Sequence, residues 1–431
     1  MNELSFMEKL LDGVEVEWKH LDEIIVSLKT GLNPRKNFQL NTDDADGYYV
    51  TVREIQNSEV VFLEKTDRVN KIALELINNR SNLEAGDILF SGTGTVGRTA
   101  VIEEKPLNWN IKEGVYVIKP INQVISSKYL SHLFNSQWIV KEYSKKIVGS
   151  PVISLPMGEL RKLKIPIPCP DNPKKSLEIQ AEIVRILDAF TAMTAELTAE
   201  LNLRQKQYNH YRDQLLSFEF PSSGGVPEGR GGREVEWKTL GDVAQYSKTR
   251  ISFEKLDETN YVGVDNLLQN RAGKSLSSYV PTSGNLTEYR KNDILIGNIR
   301  PYLKKIWQSD CVGGTNGDVL VLRCTDNSIN PRYLYQVLAD DKFFDYNMQH
   351  AKGAKMPRGN KEKILKYQIP VPSHEEQARI VAILDKFDTL TTSISEGLPR
   401  EIELRQKQYE YYRNLLLSFP QPQTDHQGGM Q

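Results

Sequence analysis

Three glycines in the stretch DILFSGTGTVGRTAV, residues 87–101, have the spacing of a dinucleotide-binding loop. Gly92, Gly94 and Gly97 form the pattern G-x-G-x-x-G directly after an apolar run. Such a loop binds a pyrophosphate only where the last glycine opens a helix whose N-terminal amides hold the phosphates. Here the short β-branched run 98–102 and then a proline follow, which favours a strand over a helix. The sequence therefore predicts a strand, a tight glycine loop and a second strand.

Lysine and arginine gather in two other stretches that could bind phosphate groups. Residues 138–164 carry six basic and two acidic residues, a net charge of +4, and residues 342–366 carry seven and two, a net charge of +5. The 431-residue chain has 55 basic and 56 acidic residues, so these are local patches in a chain of balanced charge. Both mix basic with small residues, which let a backbone approach a phosphate. The alternative is a solvated charged turn in each place.

The two basic stretches occupy matching positions in a duplication of nearly the whole chain. The segment EVEWKHL at 15 recurs as EVEWKTL at 234, and IPIPCP at 165 recurs as IPVPSH at 369. LRQKQYNHYRDQLLSF at 203 and LRQKQYEYYRNLLLSF at 404 are identical at 12 of 16 positions. Two divergent segments, 22–164 and 241–368, lie between these blocks, and the second lacks the glycine triplet. The repeat predicts two modules of one fold with different surfaces.

The repeated blocks that follow each module are predicted to be helices. No proline or glycine occurs from 176 to 217, and apolar residues recur there in steps of three and four, as in a coiled coil. The tandem TAELTAEL, 194–201, adds one extra step of four, a stutter. In the second copy, Gly397 and Pro399 are expected to split the helix. The predicted seam consists of Ile183, Ile186, Phe190, Leu197 and Leu201 in the first copy and Ile380, Ile383, Phe387, Leu390 and Ile394 in the second.

Such seams fit either a dimer of two chains or a helix pair within one chain. Because one chain holds two matching seams, an intramolecular antiparallel pair is the simpler arrangement. The predicted fold class is α+β, with two similar α/β domains separated by a pair of long antiparallel helices and related by an internal pseudo-twofold repeat. The predicted segments are a first module at 1–170, a spacer helix at 171–219, a linker rich in Gly, Pro and Ser at 220–233, a second module at 234–373, a second helical region at 374–420 and a flexible tail at 421–431.

This arrangement resembles the specificity subunit of type I restriction-modification enzymes, most of all the subgroup with four-residue repeats in its central helix. The resemblance covers the whole chain and rests on the EVEWK block, the IP-I/V-P strand ends, the E-x-Q-x-x-I-V-x-I-L-D helices and the TAEL repeat. It implies that each variable module is a target recognition domain for one half of a split DNA site. It also implies partners: double-stranded DNA, two methyltransferase subunits that use S-adenosylmethionine, and two motor-nuclease subunits that use ATP and Mg²⁺.

The residues themselves predict binding and no catalysis. The chain contains no N-P-P-Y or D-P-P-Y segment of an adenine methyltransferase and no P-loop for a motor. Its six histidines are scattered and its three cysteines form no C-x-x-C pair, so neither a metal site nor a disulfide is expected. No apolar run is long enough to span a membrane. We expect a cytoplasmic, non-catalytic chain without a cofactor or metal of its own.

The candidate DNA contacts come from the two basic stretches and from the loops after the aligned strands. The stretches KEYSKKIVGS and QHAKGAKMPRGNK align with Gly149 opposite Gly353, and an arginine in either loop could reach a guanine edge, although a purely structural loop is the alternative. The candidates are Arg98, Lys145, Lys146, Gly149 and Ser150 in the first copy and Arg300, Tyr302, Lys304, Lys352, Lys355, Arg358 and Lys361 in the second. The alternative function is a non-catalytic scaffold with two peptide-binding modules. Affinity that falls steeply with salt would distinguish DNA binding from it.

Overall fold

The structure is a computed structural model that describes residues 13–35, 37–218, 228–229, 233–392 and 396–419. The chain divides into two compact units. Unit 1 comprises Met1–Met193 and Arg405–Gln431, and unit 2 comprises Thr194–Leu404. Each unit therefore combines one variable module with helical segments from both copies of the repeat.

Unit 1 is built on small sheets flanked by short helices. Its strands are β1 Val16–His20, β2 Ile25–Thr30, β3 Gly47–Val50, β4 Ile55–Gln56, β5 Glu59–Val60, β6 Arg68–Val69, β7 Ile88–Ser91, β8 Thr99–Val101, β9 Trp109–Ile111, β10 Val115–Pro120 and β11 Lys164–Pro168. Its helices are α1 Lys71–Arg80, α2 Ser127–Phe134, α3 Gln137–Ser144, α4 Met157–Arg161 and the first part of α5 Pro173–Leu215. The sheet orders are β2-β10-β7-β8, β6-β3-β9, β1-β11 and β4-β5.

Unit 2 repeats this plan. Its strands are β12 Glu228–Gly229, β13 Arg233–Glu234, β14 Glu236–Thr239, β15 Ala244–Tyr246, β16 Arg250–Ser252, β17 Tyr261–Val262, β18 Asn285–Tyr289, β19 Ile294–Gly297, β20 Ile306–Gln308, β21 Gly313–Thr315, β22 Val319–Cys324 and β23 Gln368–Val371. Its helices are α6 Leu240–Val243, α7 Pro331–Leu338, α8 Asp341–Gln349, α9 Lys361–Ile364, α10 His374–Thr392 and the start of α11 Leu398–Leu416. Short 3₁₀ turns occur at Leu21–Glu23 in unit 1 and at Phe253–Lys255 and Pro301–Leu303 in unit 2.

The two units share one topology, as the duplication predicts. The order β15-β22-β19-β20 in unit 2 matches β2-β10-β7-β8 in unit 1, and the parallel pair β17-β21 matches β3-β9. The repeated blocks pair with each other, since Trp18 of β1 lies opposite Pro166 of β11 and Trp237 of β14 lies opposite Pro370 of β23. The predicted mixed helix-and-sheet architecture with an internal repeat is confirmed.

The glycine triplet is a turn between paired strands. Strands β7 and β8 pair antiparallel on either side of it, so the predicted strand, loop and strand are confirmed. Gly94 and Gly97 have φ values of +83° and +99°, which glycine adopts without strain. A Cβ at Gly97 would lie 2.2 Å from the Tyr143 hydroxyl, so this glycine is also required for close packing. The triplet therefore has a structural role.

The first long helix is continuous and the second is split, as predicted. Helix α5 has 43 residues and includes the whole TAEL tandem, so it extends about 65 Å at a rise of ~1.5 Å per residue. In the second copy α10 ends at Thr392 and α11 begins at Leu398, one residue before Pro399. No helix in the described part of the chain combines the length and apolar character that crossing a membrane requires.

In unit 1 the first part of α5 packs antiparallel on the last part of α11. Ile183 and Leu416 are buried in one core cluster with the module. Phe190 stacks on Tyr412 with ring centroids 5.2 Å apart. Tyr409, one turn earlier on α11, is half-buried and packs against the same core cluster. The helix pair thus forms part of the core of the module.

Unit 2 has the matching arrangement between the last part of α5 and α10. Ile380 and Leu384 of α10 are buried with Tyr208 of α5 in the core of the second module. Phe387 stacks on Tyr208 and on Tyr211, with ring centroids 6.0 and 5.3 Å apart. Each module therefore receives one helical segment from each copy of the repeat.

The predicted seam is narrower than the face that the helices bury. Leu187 and Leu384, one position after the predicted Ile186 and Ile383, are fully buried, because each helix covers the module core as well as the partner helix. Leu390 of the predicted seam is 36% exposed, and the adjacent Thr391 is buried. The half-buried positions are Ile186, Phe190, Leu197, Leu201, Ile383 and Phe387. Ile394 lies outside the described residues.

A polar chain ties the first module to its helices. Nδ1 of His132 on α2 lies 3.3 Å from the Tyr409 hydroxyl, and Nε2 lies 2.9 Å from Oδ1 of Asp188 on α5. The hydrogen bond with His132 lowers the pKa of the Asp188 carboxyl below its usual value. Lys128 adds an ion pair to Asp188 at 3.5 Å. These contacts connect α2, α5 and α11.

The second module uses the same positions with different side chains. The Tyr208 hydroxyl donates to Oε1 of Gln336 at 3.0 Å, and Nε2 of Gln336 donates to Oδ1 of Asp385 at 3.0 Å. Gln336 thus stands where the first module has histidine. Arg332 donates to Asp385 at 2.7 Å and to Asp388 at 2.6 Å. In both modules a tyrosine and an aspartate of the helix pair are therefore hydrogen bonded to one side chain of the module, His132 in the first and Gln336 in the second.

Candidate nucleic-acid interface

In unit 1 the glycine loop and the first basic stretch meet. Residues 92–98 connect β7 with β8 and are called loop 1, and residues 148–154, beyond α3, are called hairpin 1. Val148 and Ser154 exchange both backbone hydrogen bonds at 2.8 Å, which closes hairpin 1. The Gly94 amide donates to the Ile153 carbonyl at 2.8 Å. Hairpin 1 is therefore fixed to loop 1.

Unit 2 builds the same pair of loops. Residues 298–304 form loop 2 between β19 and β20, and residues 352–358 form hairpin 2 after α8. Lys352 and Arg358 exchange both backbone hydrogen bonds at 2.9 Å, and the Arg300 amide donates to the Pro357 carbonyl at 2.7 Å. Gly149 and Gly353 follow the first residue of each hairpin with φ values of +100° and +99°. The predicted alignment of these two glycines is confirmed.

The basic candidates of unit 1 are mostly engaged with the chain itself. Nη1 of Arg98 donates to the carbonyls of Val52 and Ile55 at 3.1 and 3.3 Å, although the side chain remains exposed. Lys145 pairs with Glu142 at 2.6 Å, and Lys146 pairs with Glu159 at 3.4 Å. Gly149 and Ser150, the second and third residues of hairpin 1, are exposed. Unit 1 thus presents less free positive charge than its sequence predicts.

Loop 2 carries two exposed candidates and one engaged candidate. Arg300 is exposed and has a left-handed φ of 53°, and Tyr302 is 49% exposed. Nζ of Lys304 instead lies 2.7 Å from the Asp341 carboxylate. Burial, together with the nearby Arg271 guanidinium, lowers the pKa of Lys304. Lys304 is therefore the candidate in this loop least free to contact a phosphate.

Hairpin 2 carries the most accessible positive charge. Lys352 and Lys355 are exposed, as is Lys361 at the start of α9. The Arg358 guanidinium lies 3.2 Å from the Asp318 carboxylate, and its side chain remains 57% exposed. A backbone hydrogen bond joins loop 2 to hairpin 2, so Arg300, Lys352 and Arg358 lie on two loops that are fixed to each other.

Sequence reasoning missed the apolar side chains of hairpin 1. Val148, Val152 and Ile153 are 56%, 62% and 39% exposed, at positions where hairpin 2 has Lys352, Met356 and Pro357. It also missed Asp318, which pairs with Arg358. The alignment of Gly149 with Gly353 was the available signal, since it shows that Val152 and Ile153 lie opposite Met356 and Pro357 and that only Val148 lies opposite a basic residue, Lys352.

The described residues contain no cluster of three or more His, Cys, Asp or Glu side chains that could hold a metal ion. The three cysteines are free and half-buried. Burial raises the pKa of the Cys324 thiol to about 11 and also raises that of Cys311, so both favour the protonated, unreactive form. The arrangement of exposed cations on paired loops suits binding of an anionic polymer.

Comparisons with known proteins identify the repeat. The family model described as type I restriction modification DNA specificity domain matches the chain twice, at residues 13–204 and 233–404. The chain is 37% identical to the EcoR124I/EcoR124II specificity subunit of Escherichia coli, over 98% of this chain and 99% of that protein. It is 30% identical to the EcoprrI specificity subunit of Escherichia coli, over 92% of this chain and 93% of that protein.

Solved structures agree on the fold. The S subunit of a type I restriction-modification system from M. genitalium has a TM-score of 0.54 at 14% identity, covering 95% of this chain and 98% of that chain. A chain from a structure concerning complex assembly and conformational transition of a type I restriction-modification system has a TM-score of 0.53 at 15% identity, covering 93% and 97%. With both copies of the repeat matched by one family model, and near full-length relatives in the same family, this chain belongs to the type I restriction-modification DNA specificity family.

Proposed function

We propose that this chain is a DNA-recognition subunit that reads a two-part DNA target, one half with each module. Named relatives that match nearly its whole length are specificity subunits, so it recognises DNA while partner subunits catalyse. The observation that carries the two-part target is the pair of matching elements, loop 1 with hairpin 1 and loop 2 with hairpin 2. They share backbone hydrogen bonds but present different side chains. A shared frame with different side chains suits the reading of two different sequences.

The candidate residues divide by the kind of contact they suit. Lys352, Lys355 and Lys361 are exposed ammonium groups that suit phosphate oxygens, which fix position without specifying sequence. Arg358, on the same hairpin, is an exposed guanidinium group that suits a phosphate as well. Arg300 of loop 2 is an exposed guanidinium group that suits bidentate contact with guanine. In unit 1 the contacts come from Lys145, Lys146, Gly149, Ser150 and Arg98. We assign 1–170 and 234–373 as the recognition modules.

Catalysis is assigned to partner subunits. The complex comprises two methyltransferase subunits, which use S-adenosylmethionine to methylate adenine, and two motor-nuclease subunits, which use ATP and Mg²⁺ to translocate and cleave unmodified DNA. The central helical segments 171–219 and 374–420 act as the spacer between the two recognition modules. The resemblance of the whole chain to specificity subunits supports this assembly.

The purified chain alone is expected to transfer no methyl group and to cleave no DNA. Methylation of adenine is expected only after the cognate methyltransferase subunit and S-adenosylmethionine are added, because the chain lacks the motifs for either reaction. Radiolabelled methyl transfer to plasmid DNA measures this, with the methyltransferase subunit alone as the control. Transfer by the chain alone that persists through repeated purification would refute the division of labour.

Exchange of the first variable segment, 22–164, for that of a relative is expected to change one half of the target only. The reason is that each module has its own core cluster and its own pair of reading loops. Methylome sequencing of cells that make the chimera with the cognate methyltransferase subunit gives the new target, and the exchange of 241–368 is the matched control. A chimera in which both halves change contradicts the assignment of one half to each module.

A further inference from the structure

The tip of hairpin 1 exposes apolar side chains that the fold does not require. Val148 and Val152 are 56% and 62% exposed, and Ile153 is 39% exposed. No residue of hairpin 1, 148–154, is charged. Exposed apolar side chains that cluster on one tip indicate a contact surface.

The tip is held in a fixed place. Besides the closing backbone hydrogen bonds, the Ser154 hydroxyl donates to the Gly92 carbonyl at 3.1 Å and lies 3.1 Å from the Thr93 hydroxyl. Leu155, directly after the hairpin, is fully buried, and its carbonyl accepts a 2.7 Å hydrogen bond from the Tyr116 hydroxyl. The apolar side chains therefore keep a defined position relative to loop 1, as a specificity element requires.

The same frame in unit 2 is basic at both ends and keeps apolar residues, Met356 and Pro357, opposite Val152 and Ile153. Hairpin 2 has Lys352 where hairpin 1 has Val148, and Arg358 where hairpin 1 has Ser154. If both hairpins meet DNA, they meet it with different chemistry. Cations gain from phosphates and from the acceptor atoms of guanine, whereas a valine or isoleucine gains nothing from either.

The apolar group that DNA offers in its grooves is the C5 methyl of thymine, which lies in the major groove. The major groove is wide enough to admit an α-helix or a two-stranded ribbon, and hairpin 1 is a short loop closed by a single pair of backbone hydrogen bonds. Residues 138–164 around the hairpin carry a net charge of +4, which complements a phosphate backbone although Lys145, Lys146 and Arg161 pair with carboxylates of unit 1. Shape, charge and apolar tip thus agree on one occupant, the major groove of a site that contains thymine.

We propose that Val152 and Ile153, supported by Val148, are specificity-determining residues that contact a thymine methyl in the half-site read by unit 1. This inference rests on the proposed function, because it names the base contact made by one of the two recognition modules. Hairpin 1 enters the major groove and buries the methyl between the two tip side chains. Removal of one buried methyl group is expected to weaken binding about fourfold, the equivalent of ~0.8 kcal/mol.

The test uses the complex of this chain with its methyltransferase subunit and a DNA duplex that carries the mapped target. Each thymine of the first half-site is replaced in turn by deoxyuridine, which lacks only the C5 methyl, and the dissociation constant is measured. We expect one such replacement to weaken binding by the wild-type complex about fourfold. The variant Val152→Ala/Ile153→Ala is expected to bind thymine and uracil duplexes equally. Leu107→Ala, which truncates a 90% exposed apolar side chain elsewhere in unit 1, is the matched control and should keep the discrimination.

Three results overturn the inference. The first is specific binding that no uracil replacement in the first half-site weakens, and the second is a Val152→Ala/Ile153→Ala variant that discriminates as well as the wild type. The third is a first half-site that contains no thymine on either strand. Failure of the proposed function looks different, because the wild-type complex would then show no preference for the mapped target over unrelated DNA.

Discussion

Replacement of Lys352, Lys355 and Arg358 together by glutamate is expected to weaken binding of the chain to DNA of every sequence. All three residues lie on hairpin 2 with exposed side chains. Each phosphate contact releases counterions, worth about fivefold in affinity at 0.15 M salt, so loss of three contacts should cost roughly 100-fold. The slope of log affinity against log salt should fall by about three. Fluorescence anisotropy with target and unrelated duplexes at several salt concentrations measures both effects.

The control for this variant changes the same net charge elsewhere on unit 2. Lys248, Lys255 and Lys291 are also exposed, and their replacement by glutamate makes the chain equally more acidic. The control is expected to bind DNA nearly as the wild type does, since general repulsion is screened beyond roughly 8 Å at physiological salt. If the hairpin 2 variant keeps its affinity, with a folded circular dichroism spectrum, the DNA surface of unit 2 lies elsewhere. If both variants lose affinity equally, net charge and not hairpin 2 is responsible.

The helical part of the fold follows from local pattern, which is why the sequence predicts it well. The sequence alone shows a long run without proline or glycine, in which apolar residues recur every three or four positions. The bounds of α5 and the break before α11 agree with this pattern. The buried face is wider than the predicted seam because periodicity shows which side of a helix is apolar but not how wide the covering surface is. Leu187 and Leu384 are buried because the module core extends over them.

The loop contacts are less predictable, because they depend on which side chains meet across the fold. The pair of Lys145 with Glu142 is local and could be guessed from a spacing of three. Lys304 pairs with Asp341, 37 positions away, so its engagement is invisible in the sequence. The joining of loop 1 to hairpin 1 likewise depends on backbone hydrogen bonds between segments about 60 residues apart. The duplication makes the hairpins easier to find, because the alignment of Gly149 with Gly353 places the same loop in both copies.

Deletion of Thr198 to Leu201 is expected to leave both half-sites unchanged and to shorten the gap between them by one base pair. The deletion removes one TAEL unit from the continuous helix α5. It shortens the helix by about 6 Å and turns the part that follows by about 400°, a net rotation of roughly 40°. Removal of one base pair shortens B-DNA by ~3.4 Å and turns it by roughly 35°. The rotations nearly agree, and a bent duplex can absorb the remaining ~2.6 Å for a few kcal/mol.

The helix itself is expected to survive this deletion, because the repeat supplies equivalent neighbours. Arg204 pairs with Glu200 at 2.7 Å, four residues earlier, and Glu196 takes that place once 198–201 are gone. The seam step from Leu197 to Tyr208 becomes seven residues, which removes the stutter and restores a regular heptad. A change in the measured gap between the half-sites would therefore not be caused by unfolding of the helix.

Methylome sequencing of cells that make the deletion variant with the cognate methyltransferase subunit measures the gap directly. Insertion of a third TAEL unit after Leu201 is the matched variant and should lengthen the gap by one base pair. Loss of two base pairs would leave roughly 30° of rotational mismatch, so a change of one is the closest fit. If the deletion and insertion variants both return the original gap, helix α5 does not set the distance between the half-sites. A change of half-site sequence without a change of gap would instead place the TAEL segment in base recognition.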